Sequence, residues 1–271
     1  MGKRHAERFQ PGLFVEAPSP DDFSGQTVLI GLSGGINSAA LLVYLGVVHP
    51  PEKRPERLLL FYAHLTEHSP DTFRFVAACV RWARRAFGAQ RVRFGMSRAS
   101  ALDYFEGMRF IPHPTDSPCT AALKLEPMAT WAEAQGGYDR DLVGYVRDER
   151  RRIKRQQERL GKQDAKRGTE TAAAKGYAIA HLTNADCFAL VDAHIGWHPA
   201  IYDLRLPNGR PAFANNNCLP CKNQHVYQLG YVRDFYPDYW EKAEAMAERI
   251  GRYWGRASEY DADPCAVCVF D

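Results

Sequence analysis

The sequence predicts an α/β fold, a Rossmann-like, doubly wound and mostly parallel sheet, and three observations lead there. Apolar runs at residues 28–32, 58–63 and 92–94 read as short buried strands. Between them, apolar residues recur at helical spacing, as in Phe73, Val76, Ala77, Val80, Ala83 and Phe87. The links between these elements are short. Strands alternating with helices over short links make parallel sheets, and ligands of such sheets lie beyond the carboxyl ends of the strands.

Taken in order, residues 1–24 hold several prolines and no clear period, which predicts an irregular arm. The strand at 28–32 runs into Ser33-Gly34-Gly35, and a helix is expected from about Asn37 to Val48, stopped by His49-Pro50-Pro51. A glycine turn that opens a helix suits an anion, because backbone N–H groups point outward there and glycine lets a phosphate approach. The alternative is a strand-to-helix turn with no ligand. The spacing matches neither G-x-G-x-x-G nor G-x-x-x-x-G-K-[ST]. After the strand at 58–63, the polar residues 64–69 form a second loop at the presumed ligand edge, and Ser69-Pro70 caps the next helix. Prolines keep the first half of 110–131 extended, and a helix begins near Cys119. A helix start favours a thiolate at Cys119, and Lys124 can counter a phosphate. A further strand is expected at 141–146, ending in Arg147-Asp-Glu-Arg-Arg-Arg152. Thr183 with Asp186 reads as a capping box, and Tyr236-Pro237 starts a helix with Trp240, Ala243, Ala247 and Ile250 on one face.

Composition sets the class. The chain has 271 residues, 45% of them hydrophobic and 25% charged, as in an ordinary globular protein. No apolar run approaches the roughly 18 residues of a membrane span. The first residues carry charge without an apolar core, so no signal peptide is expected, and neither is a membrane partner; the cytoplasm is the expected location. Charge is uneven. Residues 147–175 hold eleven Lys/Arg against five Asp/Glu, a segment of +6 in a chain of +3. Such a run is either a solvated helix face or a surface for phosphates. Of seven cysteines, four form the pairs Cys218/Cys221 and Cys265/Cys268. The C-x-x-C spacing suits zinc or an iron–sulfur cluster. Cys79 and Cys187 lie in apolar helical patterns and read as core.

Five segments resemble one family in the right order: Ser33-Gly-Gly-Ile-Asn-Ser38, the stretch from Phe61 to Phe73, Cys119-Thr-Ala-Ala-Leu-Lys-Leu-Glu-Pro127, Val143-Gly-Tyr-Val-Arg-Asp-Glu-Arg-Arg-Arg152 and Asn217-Cys-Leu-Pro-Cys221. Together they look like the phosphoadenosine phosphosulfate reductase branch of the PP-loop ATP pyrophosphatases. That branch includes iron–sulfur adenylylsulfate reductases and the sulfur-transfer proteins of DNA phosphorothioation. The resemblance implies a nucleotide-binding α/β domain over 25–200 and a helical, metal-binding extension over 201–271. It implies that Ser33, Gly34, Gly35, Asn37 and Ser38 hold phosphates of ATP or a sulfonucleotide, with Mg2+, and that Ala63, His64 and Thr66 lie near the base or ribose. Lys124, Arg147, Arg152 and Cys119 would be the catalytic set. Cys119, Cys218 and Cys221 with Cys265 or Cys268 would hold a 4Fe-4S cluster; zinc on the two C-x-x-C pairs is the alternative.

Three departures shape the expected function. Asn37 stands where many relatives have aspartate, Thr120 replaces the second cysteine of a pair, and the C-terminal residues lack the Glu-Cys-Gly-(Leu/Ile)-His segment of the reductases. The resemblance therefore implies an ATP-dependent sulfurtransferase that adenylylates a nucleic-acid oxygen, expected in the DNA backbone, and inserts sulfur supplied by a cysteine desulfurase. The alternatives are a reductase releasing sulfite and a zinc-stabilised nucleic-acid-binding scaffold.

Overall fold

In the computed structural model, residues 21–111, 117–167, 174–221, 224 and 226–252 are described. The apolar run after Gln26 forms β1 (Thr27–Gly31), whose central residues Val28, Leu29 and Ile30 are fully buried. Successive side chains of a strand point to opposite faces. Burial of all three therefore means that both faces of the sheet are covered, as parallel sheets require. Helix α1 (Ile36–Val47) follows, then β2 (Arg57–Leu65), α2 (Thr72–Phe87), β3 (Val92–Ala99) and α3 (Ala101–Met108). An α-helical turn at Pro118–Thr120 and a π-helical stretch at Ala121–Leu125 lead into α4 (Glu126–Ala134). Strand β4 (Arg140–Leu142), α5 (Arg150–Arg167), β5 (Lys175–Gly176), α6 (Asn184–His194), α7 (Val226–Phe235) and α8 (Pro237–Arg249) complete the order.

The five strands run in the order β3-β2-β1-β4-β5. β1 pairs in parallel with β2 and β4, and β4 with β5. The expected Rossmann-like α/β class is what the chain adopts. Leu29 and Leu59, partners in register, pack on Ala132, Met128 and Trp131 of α4, and α1 packs on α2 and α6. The order reverses beside β1, so the loop after β1 sits where such sheets place ligands.

The chain divides into two compact units. One comprises Met1–Ala63, Asp71–Met96 and Met128–Pro199; the other comprises His64–Pro70, Ser97–Pro127 and Ala200–Asp271. The second unit has its own core, in which Leu65, Leu102 and Phe105 pack with Trp240, Met246 and Ile250. The face of α8 expected from spacing is the buried one. The strand expected over 141–146 stops at Leu142 instead: the Val143 N–H still donates to the Gly176 carbonyl of β5, and past it Gly144 leaves the ladder and the Tyr145 N–H turns back to the Val143 carbonyl. Thr183 and Asp186 do form the capping box, Thr183 Oγ1 accepting from the Asp186 N–H at 3.2 Å. Cys79 and Cys187 are core residues, and burial pushes the Cys79 thiol up to about 12. No described helix is long and apolar enough to cross a membrane.

Candidate nucleotide loop and thiol cluster

In the first unit, the loop after β1 is closed by its own hydroxyls. Ser38 Oγ accepts the Ser33 N–H (3.2 Å) and donates to the Gly35 carbonyl (3.0 Å). Ser33 Oγ accepts the Gly35 N–H at 3.2 Å and lies 3.1 Å from Ser38 Oγ. Ser38 is buried and its proton is used inside the turn, whereas Ser33 is exposed. Ser33 is therefore the exposed hydroxyl of the turn. Gly35 is the N-cap of α1 and brings no side-chain acceptor to the first turn. A helix start of this kind carries a partial positive charge and favours an anion.

Two close approaches hold this turn. Gly34 has φ +77°, and a Cβ there would lie 2.2 Å from Thr72 Cγ2 at the start of α2. Gly144, just past β4, would place a Cβ 2.7 Å from the Asn37 carbonyl oxygen and 3.0 Å from Ser38 N. Two neighbouring segments thus press on the loop, and only glycine fits either contact. Neither Thr72 nor Gly144 stood out in the sequence. A lone glycine inside a strand pattern, Val143-Gly-Tyr145, was the available signal, because such glycines mark close backbone approach.

Arg152 is brought into this neighbourhood by the residue after Gly144. Its guanidinium lies 4.5 Å from the ring centroid of Tyr145, which stacks on Tyr177 at 5.9 Å, and it pairs with Glu149 at 2.8 Å. Arg147 is exposed, its N–H held by the Leu182 carbonyl at 2.8 Å. Ala63 belongs to this unit; His64, Thr66, Cys119, Lys124, Cys218 and Cys221 belong to the other.

The second unit gathers Cys119, Lys124, Cys218 and Cys221 around the edge of its core. Lys124 Nζ lies 3.9 Å from Cys218 Sγ. The Cys218 sulfur holds the Lys124 ammonium above its usual range, with Cys221 and Cys119 adding to it. Burial pushes the Cys218 thiol up to about 11, against the pull of Lys124. Cys119 is also raised, first by burial and then by Cys218. At neutral pH the Lys124 ammonium therefore faces Cys218 and Cys119 as neutral thiols. Once Cys218 loses its proton, Lys124 is the group beside it that stabilises the thiolate.

The backbone of Cys218-Leu-Pro-Cys221 is tied to the loop after β2: the Leu219 N–H donates to the Glu67 carbonyl at 2.7 Å. The Glu67 carboxylate in turn accepts from Ser100 Oγ (2.7 Å), Ala101 N–H (2.9 Å), Leu102 N–H (3.2 Å) and Thr66 Oγ1 (3.0 Å). It caps the start of α3 and so joins three segments far apart in sequence. Burial drives the His68 ring down to about 3, so this histidine is neutral across the ordinary pH range. His64 is half-buried and also lowered by burial, with Arg98 adding to it.

Cys265 and Cys268 lie outside the described residues. Among the described residues, no three His, Cys, Asp or Glu side chains are grouped to hold a metal ion. Of the expected ligands, Cys119, Cys218 and Cys221 are described, and the Lys124 ammonium beside Cys218 would offset the negative charge that thiolates bring to a metal or cluster.

No protein-family model matches the chain, and no curated protein matches it. Among solved structures, the chain is similar to the U34-tRNA thiolase NcsA from Methanococcus maripaludis with its 4Fe-4S cluster. The identity is 12%, the match covers 91% of this chain and 79% of that one, and the TM-score is 0.45.

Proposed function

We propose that this chain is an ATP-using sulfurtransferase of the PP-loop type, acting on an oxygen of the DNA phosphate backbone. The observation that carries this reading is the loop after β1. It is a helix-opening turn of two glycines and two serines, held in one shape by Thr72 and Gly144, with an exposed hydroxyl at Ser33. Backbone N–H groups and Ser33 would bind the phosphates of ATP, and Arg147 and Arg152 would offset charge that develops on them. The acceptor oxygen attacks the α-phosphorus, and pyrophosphate leaves. A sulfur nucleophile then displaces AMP, so that sulfur replaces oxygen in the acceptor. Cys218 is the thiol proposed to carry that sulfur as a persulfide, charged by a cysteine desulfurase, with Lys124 stabilising its anion. The outer sulfur bonds to phosphorus as AMP leaves. A second thiol, Cys221, then attacks Cys218 Sγ and breaks the S–S bond to free the sulfur-bearing product, and an external thiol reductant returns the resulting disulfide to two thiols.

The test is product identity. With ATP, duplex DNA and a persulfide donor, the protein should release AMP and pyrophosphate and leave sulfur in the DNA. Release of ADP and phosphate would contradict the reading. Sulfite released from adenylylsulfate would replace it with the reductase alternative.

A further inference from the structure

Helix α5 carries nine Lys/Arg against Glu158 and Asp164 in eighteen residues. They are not evenly scattered. Arg151, Arg155, Arg159, Lys162 and Lys166 follow one another at steps of four, four, three and four, and all are exposed. Residues at these spacings share one face of a helix. At 1.5 Å per residue the stripe is about 22 Å long. The opposite face is the inward one: Leu160 is buried, Ile153 and Gln157 are half-buried, and neighbouring Gln156 accepts the Tyr177 hydroxyl at 2.9 Å. Among the described residues, none of the five cations forms an ion pair with a carboxylate. The ion pairs formed here use Arg152 with Glu149 and Lys154 with Glu158 instead.

We propose that this stripe docks duplex DNA, with its five cations on the phosphate backbone. The proposal rests on the reading of DNA as sulfur acceptor and names the surface that holds it. Charge complementarity supplies the first argument, since about one negative charge per 1.7 Å of duplex axis matches an exposed face of five cations. The composition of the helix supplies the second. It contains no aromatic residue, so it lacks the stacking platform by which single strands are held. Its apolar residues Ile153 and Leu160 face inward, so it also lacks the apolar side that a membrane-surface helix inserts. A straight helix fits the wide major groove of B-form DNA, whereas the deep, narrow groove of A-form RNA excludes it. Binding by such a stripe is independent of sequence, because phosphates position and bases specify.

Binding of the full chain to a fluorescent 25-base-pair duplex, measured by anisotropy from 50 to 200 mM KCl without ATP, tests this. Five phosphate contacts predict a slope of log K against log salt of about −4.5, and so a loss of about 500-fold over that range. In the variant R151Q/R155Q/R159Q/K162Q/K166Q the slope should fall by about that amount, while the far-ultraviolet spectrum is unchanged, because glutamine is as good a helix former. K162R/K166R should keep the slope. An unchanged slope in the five-glutamine variant overturns the proposal. So does tighter binding to the single strand, to duplex RNA of the same length or to anionic vesicles. ATP binding by the five-glutamine variant is read separately. If the protein binds DNA through the stripe but never binds ATP, the surface stands and the sulfurtransferase reading falls; the reverse result removes only the surface.

Discussion

The loop after β1 and the thiol cluster are both sites assembled from distant segments, but they are held by opposite means. The loop is shaped by backbone and hydroxyl groups: Gly34 against Thr72, Gly144 against Asn37, Ser38 closing the turn. The cluster is shaped by burial and titratable groups: a thiol raised to about 11, an ammonium at 3.9 Å and a histidine pushed down to about 3. Steric fit is indifferent to pH and intolerant of a single added carbon. A charged cluster tolerates small changes of shape and responds to every proton. The two regions should therefore fail under different perturbations.

The largest effect is expected from Gly34→Ala. The added methyl meets Thr72 Cγ2 at 2.2 Å and the residue must hold φ +77°, so the cost is about 2–4 kcal/mol in stability, with loss of ATP binding. Thr72→Ser removes that methyl, and the double variant should recover part of the stability in denaturant unfolding. If Thr72→Ser brings no recovery, the loop is not held as described. Gly144→Ala comes next, at about 1–3 kcal/mol, because its contacts are backbone atoms of Asn37 and Ser38 that cannot swing aside. It should weaken ATP binding while leaving the alkylation rate of Cys218 unaltered, which separates the two regions.

The cluster should respond to charge and pH instead. Lys124→Met removes the ammonium that opposes the rise of the Cys218 thiol, so the thiol ionises less readily still. Alkylation of Cys218 at pH 8 should slow by about tenfold for each unit the thiol rises, as mass spectrometry of the labelled peptide would show. Stability should be greatest between pH 6.5 and 9. Below pH 6.5 the unfolded chain protonates His68 while the fold keeps it neutral, so stability falls as pH drops toward 3. Above pH 9 the unfolded chain ionises Cys218 while the fold keeps its proton, so stability falls again up to about pH 11. Each limb is worth up to about 1.4 kcal/mol per pH unit. Urea unfolding at pH 5, 7.5 and 10 checks both limbs, and a flat profile would remove the distinction between the regions.

How far these features can be read from sequence depends on whether their partners are near in the chain. The strand, turn and helix from Val28 to Val47 are contiguous, so an apolar run, Ser33-Gly34-Gly35 and a second apolar run announce them. The capping box at Thr183 is equally local. The interior contact of Gly144 with Asn37 is not, nor is the methyl of Thr72 under Gly34; each needs the sheet order before it has meaning. The same holds for Glu67, a carboxylate that reads as a polar loop residue until its four donors from Thr66, Ser100, Ala101 and Leu102 are in place. The shortened β4 follows from a single glycine that leaves the ladder to meet another helix. Lys124 and Cys218, 94 residues apart, could be joined in sequence only through the family resemblance.

We propose that the loop spends ATP by cleavage at the α-phosphorus to put sulfur into DNA. Its most direct test uses ATP labelled at the α-phosphorus, duplex DNA and a persulfide donor, with nucleotide products separated and sulfur in the DNA measured by mass spectrometry. AMP formed in step with DNA-bound sulfur, and neither formed by Gly34→Ala, is the predicted result. ADP as the product, or AMP formed with no sulfur in the DNA, would contradict it.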